Sequence, residues 1–256
     1  MIIAGIQKTT LIDYPGKIAC VVFLAGCNFR CPWCYSSELV LPLKIVEQPR
    51  FSEKEFFDFL RERQGLLDGV VICGGEPTVN KDLPQFIEKI KNLGFPVKLD
   101  TNGSNPQMLK DLIDTKLIDY VAMDIKGSTL CHSGLDPESR VSAHTLDSGF
   151  RQNDIYSMIM GEGVKMEDIE KSVEFLKQGG VDFEFRTTCV PGVHTKEEFA
   201  EIAKWIGGPN VKYYLQSFRA EKTIDPAFEK IHPFEDKFLK EIAQEISPHF
   251  KFCELR

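Results

Sequence analysis

Three cysteines close together constrain this chain more than any other feature. Cys27, Cys31 and Cys34 have the spacing C-x3-C-x2-C, in the segment Cys-Asn-Phe-Arg-Cys-Pro-Trp-Cys. Three thiolates can hold three corners of a [4Fe-4S] cube and leave the fourth iron without a protein ligand. Because a small molecule can bind that iron, the spacing predicts chemistry at a cluster.

A zinc knuckle or a buried group of cysteines is the alternative explanation of the same spacing. Structural zinc normally takes four protein ligands. The nearest further cysteines, Cys20 and Cys73, stand in apolar runs that predict strands. The cluster is therefore the favoured interpretation, and the zinc site stays open as an alternative.

Composition limits the class of protein. A chain of 256 residues with 43% hydrophobic residues can bury the core of one α/β domain, expected to span residues 1–256. No apolar run is long enough to cross a membrane, and the first residues lack the basic start of a signal peptide. Scattered cysteines without a pairing pattern favour a reducing cytoplasm. The net charge of -7 makes nucleic acid an unlikely partner.

Short β-branched runs alternate with segments of helical period, which predicts repeated βα units and a parallel sheet. Strands are expected at residues 18–24, 70–73, 97–100, 120–124, 183–188 and 211–215. Helices are expected at residues 52–63, 83–93, 107–114, 166–178, 196–205 and 235–245. Six units are too few for a closed eightfold barrel. Ligands of such folds collect at the carboxyl ends of the strands.

Polar motifs follow the predicted strands where ligand residues are expected. Gly74, Gly75 and Glu76 follow the second strand; two glycines allow close backbone approach, and a carboxylate accepts hydrogen bonds from an ammonium group. Candidates at later strand ends are Asp100, Asn102, Asp124, Lys126 and Arg186. A turn, a surface ion pair or, for the arginine, an outward orientation is the alternative for each. His194 and Trp205 show no ligand spacing and are assigned to a loop and to the core.

These motifs resemble those of the radical S-adenosylmethionine (SAM) enzymes, in which an aromatic residue, here Trp33, precedes the last cysteine. The resemblance implies an open, partial (β/α)6 barrel of the TIM type. It implies that the amine and carboxylate of SAM chelate the open iron and that Trp33 lies against the adenine. It further implies that the run Gly74-Gly75-Glu76 holds the SAM amine and that the later strand ends contact its ribose or carboxylate.

Within the superfamily, the chain resembles activating proteins of glycyl radical enzymes, and among them those of anaerobic ribonucleoside-triphosphate reductases. The similar segments are residues 10–17, 98–106, 123–126, 185–188 and 190–192. The resemblance implies that a low-potential donor such as flavodoxin or ferredoxin reduces the cluster. SAM is then split into methionine and a 5′-deoxyadenosyl radical, which takes a hydrogen atom from a glycine of the partner. Pyruvate formate-lyase activases carry a histidine after the sixth strand, where this chain reads Leu-Gln-Ser-Phe-Arg at 215–219.

Three other functions share some of these motifs. One is a radical SAM enzyme that modifies a small molecule or an RNA base, and another is a non-catalytic iron-sulfur electron carrier. The third is an inactive homologue, suggested by residues 128–154. That segment is rich in His, Ser, Gly, Asp and Arg and is expected to be a flexible, repeat-derived insertion, in which Cys131 and His132 are not ligands.

Overall fold

The computed structural model of the chain describes residues 1–129 and 155–256. Their strands form one sheet in which the spatial order is the order of the sequence. The first pair of strands is antiparallel, and every later neighbour is parallel. The strands are β1 (Ile3–Thr10), β2 (Ala19–Leu24), β3 (Gly69–Gly74), β4 (Val97–Thr101), β5 (Tyr120–Asp124), β6 (Asp182–Cys189), β7 (Gly208–Ser217) and β8 (Phe250–Leu255).

Helices connect the parallel strands. They are α1 (Ser37–Val40), α2 (Pro42–Ile45), α3 (Glu53–Glu62), α4 (Leu83–Asn92), α5 (Pro106–Asp114), α6 (Ile155–Ile159), α7 (Met166–Lys177), α8 (Lys196–Ile206) and α9 (Asp236–Ile246). Local sequence explains their limits. Ser52 begins α3 with a capping box, since its hydroxyl accepts from the Glu55 amide while the Glu55 carboxylate accepts from the Ser52 amide.

Alternating strand residues build two apolar layers. Val70 and Ile72 of β3 belong to the main core, which the apolar faces of the helices cover. Val71, between them, belongs to a smaller layer on the other face of the sheet, with Val21 and Tyr120. Because successive strand side chains point to opposite faces, one face of the sheet is sealed by helices while the other is available for polar groups.

The six predicted strands and six predicted helices are confirmed, and so is the open, partial (β/α)6 barrel. The strands β2 to β7 form its parallel part. Two strands, β1 and β8, were not predicted and flank that part on its two sides.

Residues 130–154, which make up most of the predicted insertion and include Cys131 and His132, lie outside the described residues. The described ends of this connection meet. A Cβ added to Gly127 would lie 2.9 Å from Ile155 Cδ1. At the first end, the Ser128 amide and hydroxyl both donate to the Glu198 carboxylate.

Within residues 1–129 and 155–256, no helix combines the length and the apolar character needed to span a bilayer.

Candidate active site

The three cysteines lie on the loop that leaves the carboxyl end of β2. All three are free thiols, and the Phe29 amide donates to Cys27 Sγ at 3.3 Å. Burial raises the pKa of the Cys27 and Cys31 thiols to about 12, while the Lys126 ammonium acts in the opposite direction on both. Thiols that are buried together in this way become thiolates when a metal binds, and they do so beside a fixed positive charge.

Three free cysteine thiols on one loop are a donor set that suits a [4Fe-4S] cluster with one open iron. Across the described parts of the chain, no three His, Cys, Asp or Glu side chains converge on a point that one metal ion could occupy. A zinc ion requires its sulfur ligands to meet at about 2.3 Å from one centre. A [4Fe-4S] cube offers a different iron to each thiolate, so its ligands need not converge.

Backbone bonds from distant segments hold the cysteine loop. The Ile224 amide donates to the Cys34 carbonyl at 3.0 Å, and the Asp225 amide donates to the Pro32 carbonyl at 2.9 Å. On the other side, the Arg30 amide donates to the Ile159 carbonyl at 2.7 Å. The loop is therefore fixed by the last part of the chain as well as by its own neighbours.

Positions 74 and 75 require glycine because the backbone there lies very close to the backbone of Leu24 and Gly26. A Cβ on Gly74 would lie 2.1 Å from the Leu24 carbonyl oxygen, and one on Gly75 would lie 2.1 Å from the Gly26 carbonyl oxygen. Gly74 also has a φ of 129°, which favours glycine. The structure shows a close approach of this turn to Leu24 and Gly26, at the end of β2 and the start of the loop that follows it, and the predicted approach to a ligand stays a prediction.

Glu76 is fully buried and bonded to protein groups. Its Oε1 accepts from the Thr78 amide, the Thr78 hydroxyl and the Thr101 hydroxyl, and its Oε2 accepts from the Asn102 amide at 2.6 Å. Burial raises the pKa of this carboxyl, and the donors oppose the rise. Glu76 thus joins the ends of β3 and β4, and its predicted contact with the SAM amine stays a prediction.

Asn28, inside the cysteine motif, links the loop to the end of β4. Its Nδ2 donates to Ser104 Oγ at 2.8 Å, and its Oδ1 accepts from Asn102 Nδ2 at 3.0 Å. Asn102 Oδ1 accepts in turn from the Ser104 amide. The Asn102 side chain is therefore engaged in this network, and its predicted contact with SAM stays a prediction.

Charged side chains alternate in sign across the ends of β4, β5 and β6. Lys98 pairs with Asp100, and Arg186 donates to Asp100 at 3.1 Å and to Asp124 at 3.0 Å. Asp124 also pairs with Lys126 at 3.1 Å. Burial would raise the pKa of Asp124, but Arg186 and Lys126 lower it to about 2. The predicted residues at these strand ends come together, and Arg186 faces this group.

Trp33 is 3% exposed and packs between other rings, at 6.3 Å from His194 and 6.1 Å from Phe228 between centroids. The implied contact of Trp33 with adenine stays a prediction. His194, assigned to a loop from the sequence, is 2% exposed and contacts this tryptophan. Trp33 and Lys126, which His194 contacts, lie far away in the sequence, so no local pattern indicated these contacts.

The described residues thus form a partial parallel barrel with free cysteines and a row of paired charges at its carboxyl edge, which is the class of site that an iron-sulfur cluster with an adjacent ligand requires. The family model of the radical SAM superfamily matches residues 21–130. A protein of Methanocaldococcus jannaschii named "Putative glycyl-radical enzyme activating enzyme" is 33% identical over 95% of this chain and 90% of its own. The chain therefore belongs to the radical SAM superfamily.

Other relatives cover less of the chain. The 7-carboxy-7-deazaguanine synthase of Thermococcus kodakarensis is 32% identical over 43% of this chain and 50% of its own. Among solved structures, Streptococcus suis SuiB has a TM-score of 0.61 at 15% identity; the match covers 91% of this chain but only 48% of SuiB. Escherichia coli QueE has a TM-score of 0.52 at 15% identity, and the match covers 99% of this chain and 92% of QueE. These structures support the fold. The cofactors of the superfamily are a [4Fe-4S] cluster and SAM.

Proposed function

We propose that this radical SAM protein activates a glycyl radical enzyme. The observation that carries the proposal is the similarity to the Methanocaldococcus jannaschii protein, which extends over nearly the whole length of both chains. Anaerobic ribonucleotide reductase is the partner we propose, and flavodoxin or ferredoxin is the electron donor. A cytoplasm without oxygen is the setting that an exposed cluster iron requires.

The described residues supply places for both cofactors. Cys27, Cys31 and Cys34 would hold three irons. Gly74 and Gly75 allow the end of β3 to lie close to the start of the cysteine loop, which supports the proposal that backbone groups of this turn bind the amine of SAM. Held by these cysteines, a [4Fe-4S] cluster would supply the electron for cleavage of SAM into methionine and a 5′-deoxyadenosyl radical, the species that would take a hydrogen atom from the partner's glycine.

Lys126 is the cation that we propose for the SAM carboxylate. Its pKa is raised: burial is the largest single effect and would lower it, but Asp124, Cys31 and Cys34 together outweigh burial. Its ammonium therefore stays charged near the cysteines. Arg186 is already shared by Asp100 and Asp124, which makes it the less available cation.

The charges of this edge, Lys126 included, are paired with each other, and fixed charges of this kind can stabilise a bound ligand without reorganising. Asp100 and Asp124 would therefore act on SAM through the orientation of Arg186 and Lys126. The same arrangement would also serve a radical SAM enzyme that acts on a small molecule, and the partial match to 7-carboxy-7-deazaguanine synthase keeps that function as the second candidate.

The first experiment is anaerobic reconstitution with iron and sulfide, reduction with dithionite, and an assay for 5′-deoxyadenosine from SAM. We expect the product in the unaltered protein and its loss in Cys31→Ala. Cys253→Ala is the matched control, because Cys253 lies on β8, away from the motif. Full activity in Cys31→Ala would contradict the assignment of the cluster.

The partner is tested by adding anaerobic ribonucleotide reductase and recording electron paramagnetic resonance spectra. A doublet signal of a glycyl radical that depends on SAM would support the proposal. Formation of 5′-deoxyadenosine without a glycyl radical would favour the small-molecule function.

A further inference from the structure

Two buried side chains bind the backbone of Lys126, one at its N–H and the other at its carbonyl oxygen. Its N–H donates to the hydroxyl of Tyr156 at 3.0 Å, and its carbonyl oxygen lies 3.0 Å from Nε2 of His194. Tyr156 is 4% exposed and His194 is 2% exposed, so water does not compete for either bond. Lys126 itself extends from the end of β5 toward the cysteines.

The contacts of His194 fix its tautomer. The Val190 amide donates to Nδ1 at 3.1 Å, so Nδ1 carries no proton. A carbonyl oxygen can only accept, so Nε2 must carry the proton and donate it to Lys126. The neutral imidazole satisfies both neighbours, and it lies flat on Phe199, at 5.5 Å between ring centroids.

The same two side chains also contact the cysteine loop. The ring of Tyr156 meets Phe29 edge to face, at 6.4 Å and 80°. The ring of His194 meets Trp33 edge to face, at 6.3 Å and 73°. Phe29 and Trp33 stand two residues before and two residues after Cys31. Tyr156 and His194 therefore join Lys126 to the loop at two points that flank the central cysteine.

We infer that Tyr156 and His194 are positioning residues for SAM binding: they fix the Lys126 ammonium relative to the cysteine loop, where it meets the carboxylate of SAM. This inference rests on the proposed contact of Lys126 with SAM and not on the identity of the protein partner. Edge-to-face pairs and buried hydrogen bonds both have defined geometry, so together they restrict the position of Lys126 more than either would alone.

The test is a double-mutant cycle that measures the affinity for radiolabelled SAM by equilibrium dialysis against the oxidised, cluster-loaded protein, which binds SAM without turnover. Tyr156→Phe removes the hydroxyl and keeps the ring. His194→Leu removes both hydrogen bonds, and His194→Gln restores a neutral donor and acceptor. His232→Leu is the matched control, because His232 is exposed. Iron content is measured in every variant.

We expect Tyr156→Phe, which removes one hydrogen bond, to weaken SAM binding about tenfold with full iron content, and His194→Leu, which removes two, to weaken it at least as much. His194→Gln should recover part of that loss. In a Lys126→Met background, either change should alter the affinity by less than about twofold, because residues that act through one another are not additive.

Additive losses in the Lys126→Met background, or unchanged affinity in Tyr156→Phe, would overturn the inference. If His194→Leu lowers the iron content, the SAM affinity of Tyr156→Phe decides the test, because the phenylalanine ring keeps the contact with Phe29. Absence of SAM binding in the unaltered, cluster-loaded protein would overturn the proposed chemistry itself, whereas additive losses overturn only the positioning role.

Discussion

Glu76→Gln separates a framework role of Glu76 from a role as a SAM ligand. An amide oxygen in the place of Oε1 can still accept from Thr78 and Thr101. The amide NH2 then faces the Asn102 N–H, which loses its acceptor and has no water to replace it. A hydrogen bond to a charged group contributes about 1.5–3 kcal/mol, and an unsatisfied buried donor adds a further cost, so we expect the free energy of unfolding to fall by about 3 kcal/mol.

The assay is urea unfolding of the cluster-loaded protein under nitrogen. With a slope of about 2 kcal/mol/M, the midpoint should move down by about 1.5 M. Glu88→Gln is the control, because Glu88 is exposed on α4. An unchanged midpoint together with lost SAM binding would refute the framework role and show that the carboxylate binds SAM directly.

Three further changes follow from the same geometry. Gly75→Ala should lower iron content and 5′-deoxyadenosine formation at least about tenfold, because its Cβ meets the Gly26 carbonyl; Gly5→Ala, with 3.4 Å of space, should not. Burial lowers the pKa of His194 to about 4, so the unfolded chain binds more protons below pH 6.5. The free energy of unfolding of the unaltered protein, measured with urea, should therefore fall between pH 7.5 and 5.5 by about 1.3 kcal/mol more than that of His194→Gln. Arg186→Met leaves Asp100 and Asp124 without their shared cation and should cost about 3 kcal/mol near neutral pH. Because Arg186 helps to hold the pKa of Asp124 near 2, that deficit should shrink as the pH falls from about 4 toward 2; a deficit independent of pH would contradict the pairing.

The sequence was sufficient to predict the parallel core of the fold, because the strands of that core are short apolar runs between helices of clear period. It failed for β1, in which Gln7, Lys8 and Thr9 are polar and exposed, and for β8, which has no continuous apolar run. The helices α1 and α2 are four residues long, too short to show a period. Edge strands and single helical turns are stabilised by contacts with neighbouring elements. A local sequence pattern does not show these contacts.

In the candidate site, the strand ends indicated Asp100, Asp124, Lys126 and Arg186, which the structure brings together, while the roles of these residues and of the three cysteines stay predictions. The sequence could not separate ligand contacts from internal ones. Asn28 stands inside the most informative motif, yet its partner Asn102 lies 74 positions away. His194 and Lys126 are 68 positions apart. Such pairs become visible only when the sheet brings the strand ends together.

The bonds that hold the cysteine loop have a consequence for how the protein is made. The loop is synthesised before Asn102, Ile159, His194 and Ile224, the residues of later segments that contact it. Until they are made, the three thiols stand on a segment without its supports. We therefore expect the nascent chain to hold iron poorly, and cluster delivery to be a step that follows synthesis through Ile224 and closure of the sheet up to β7.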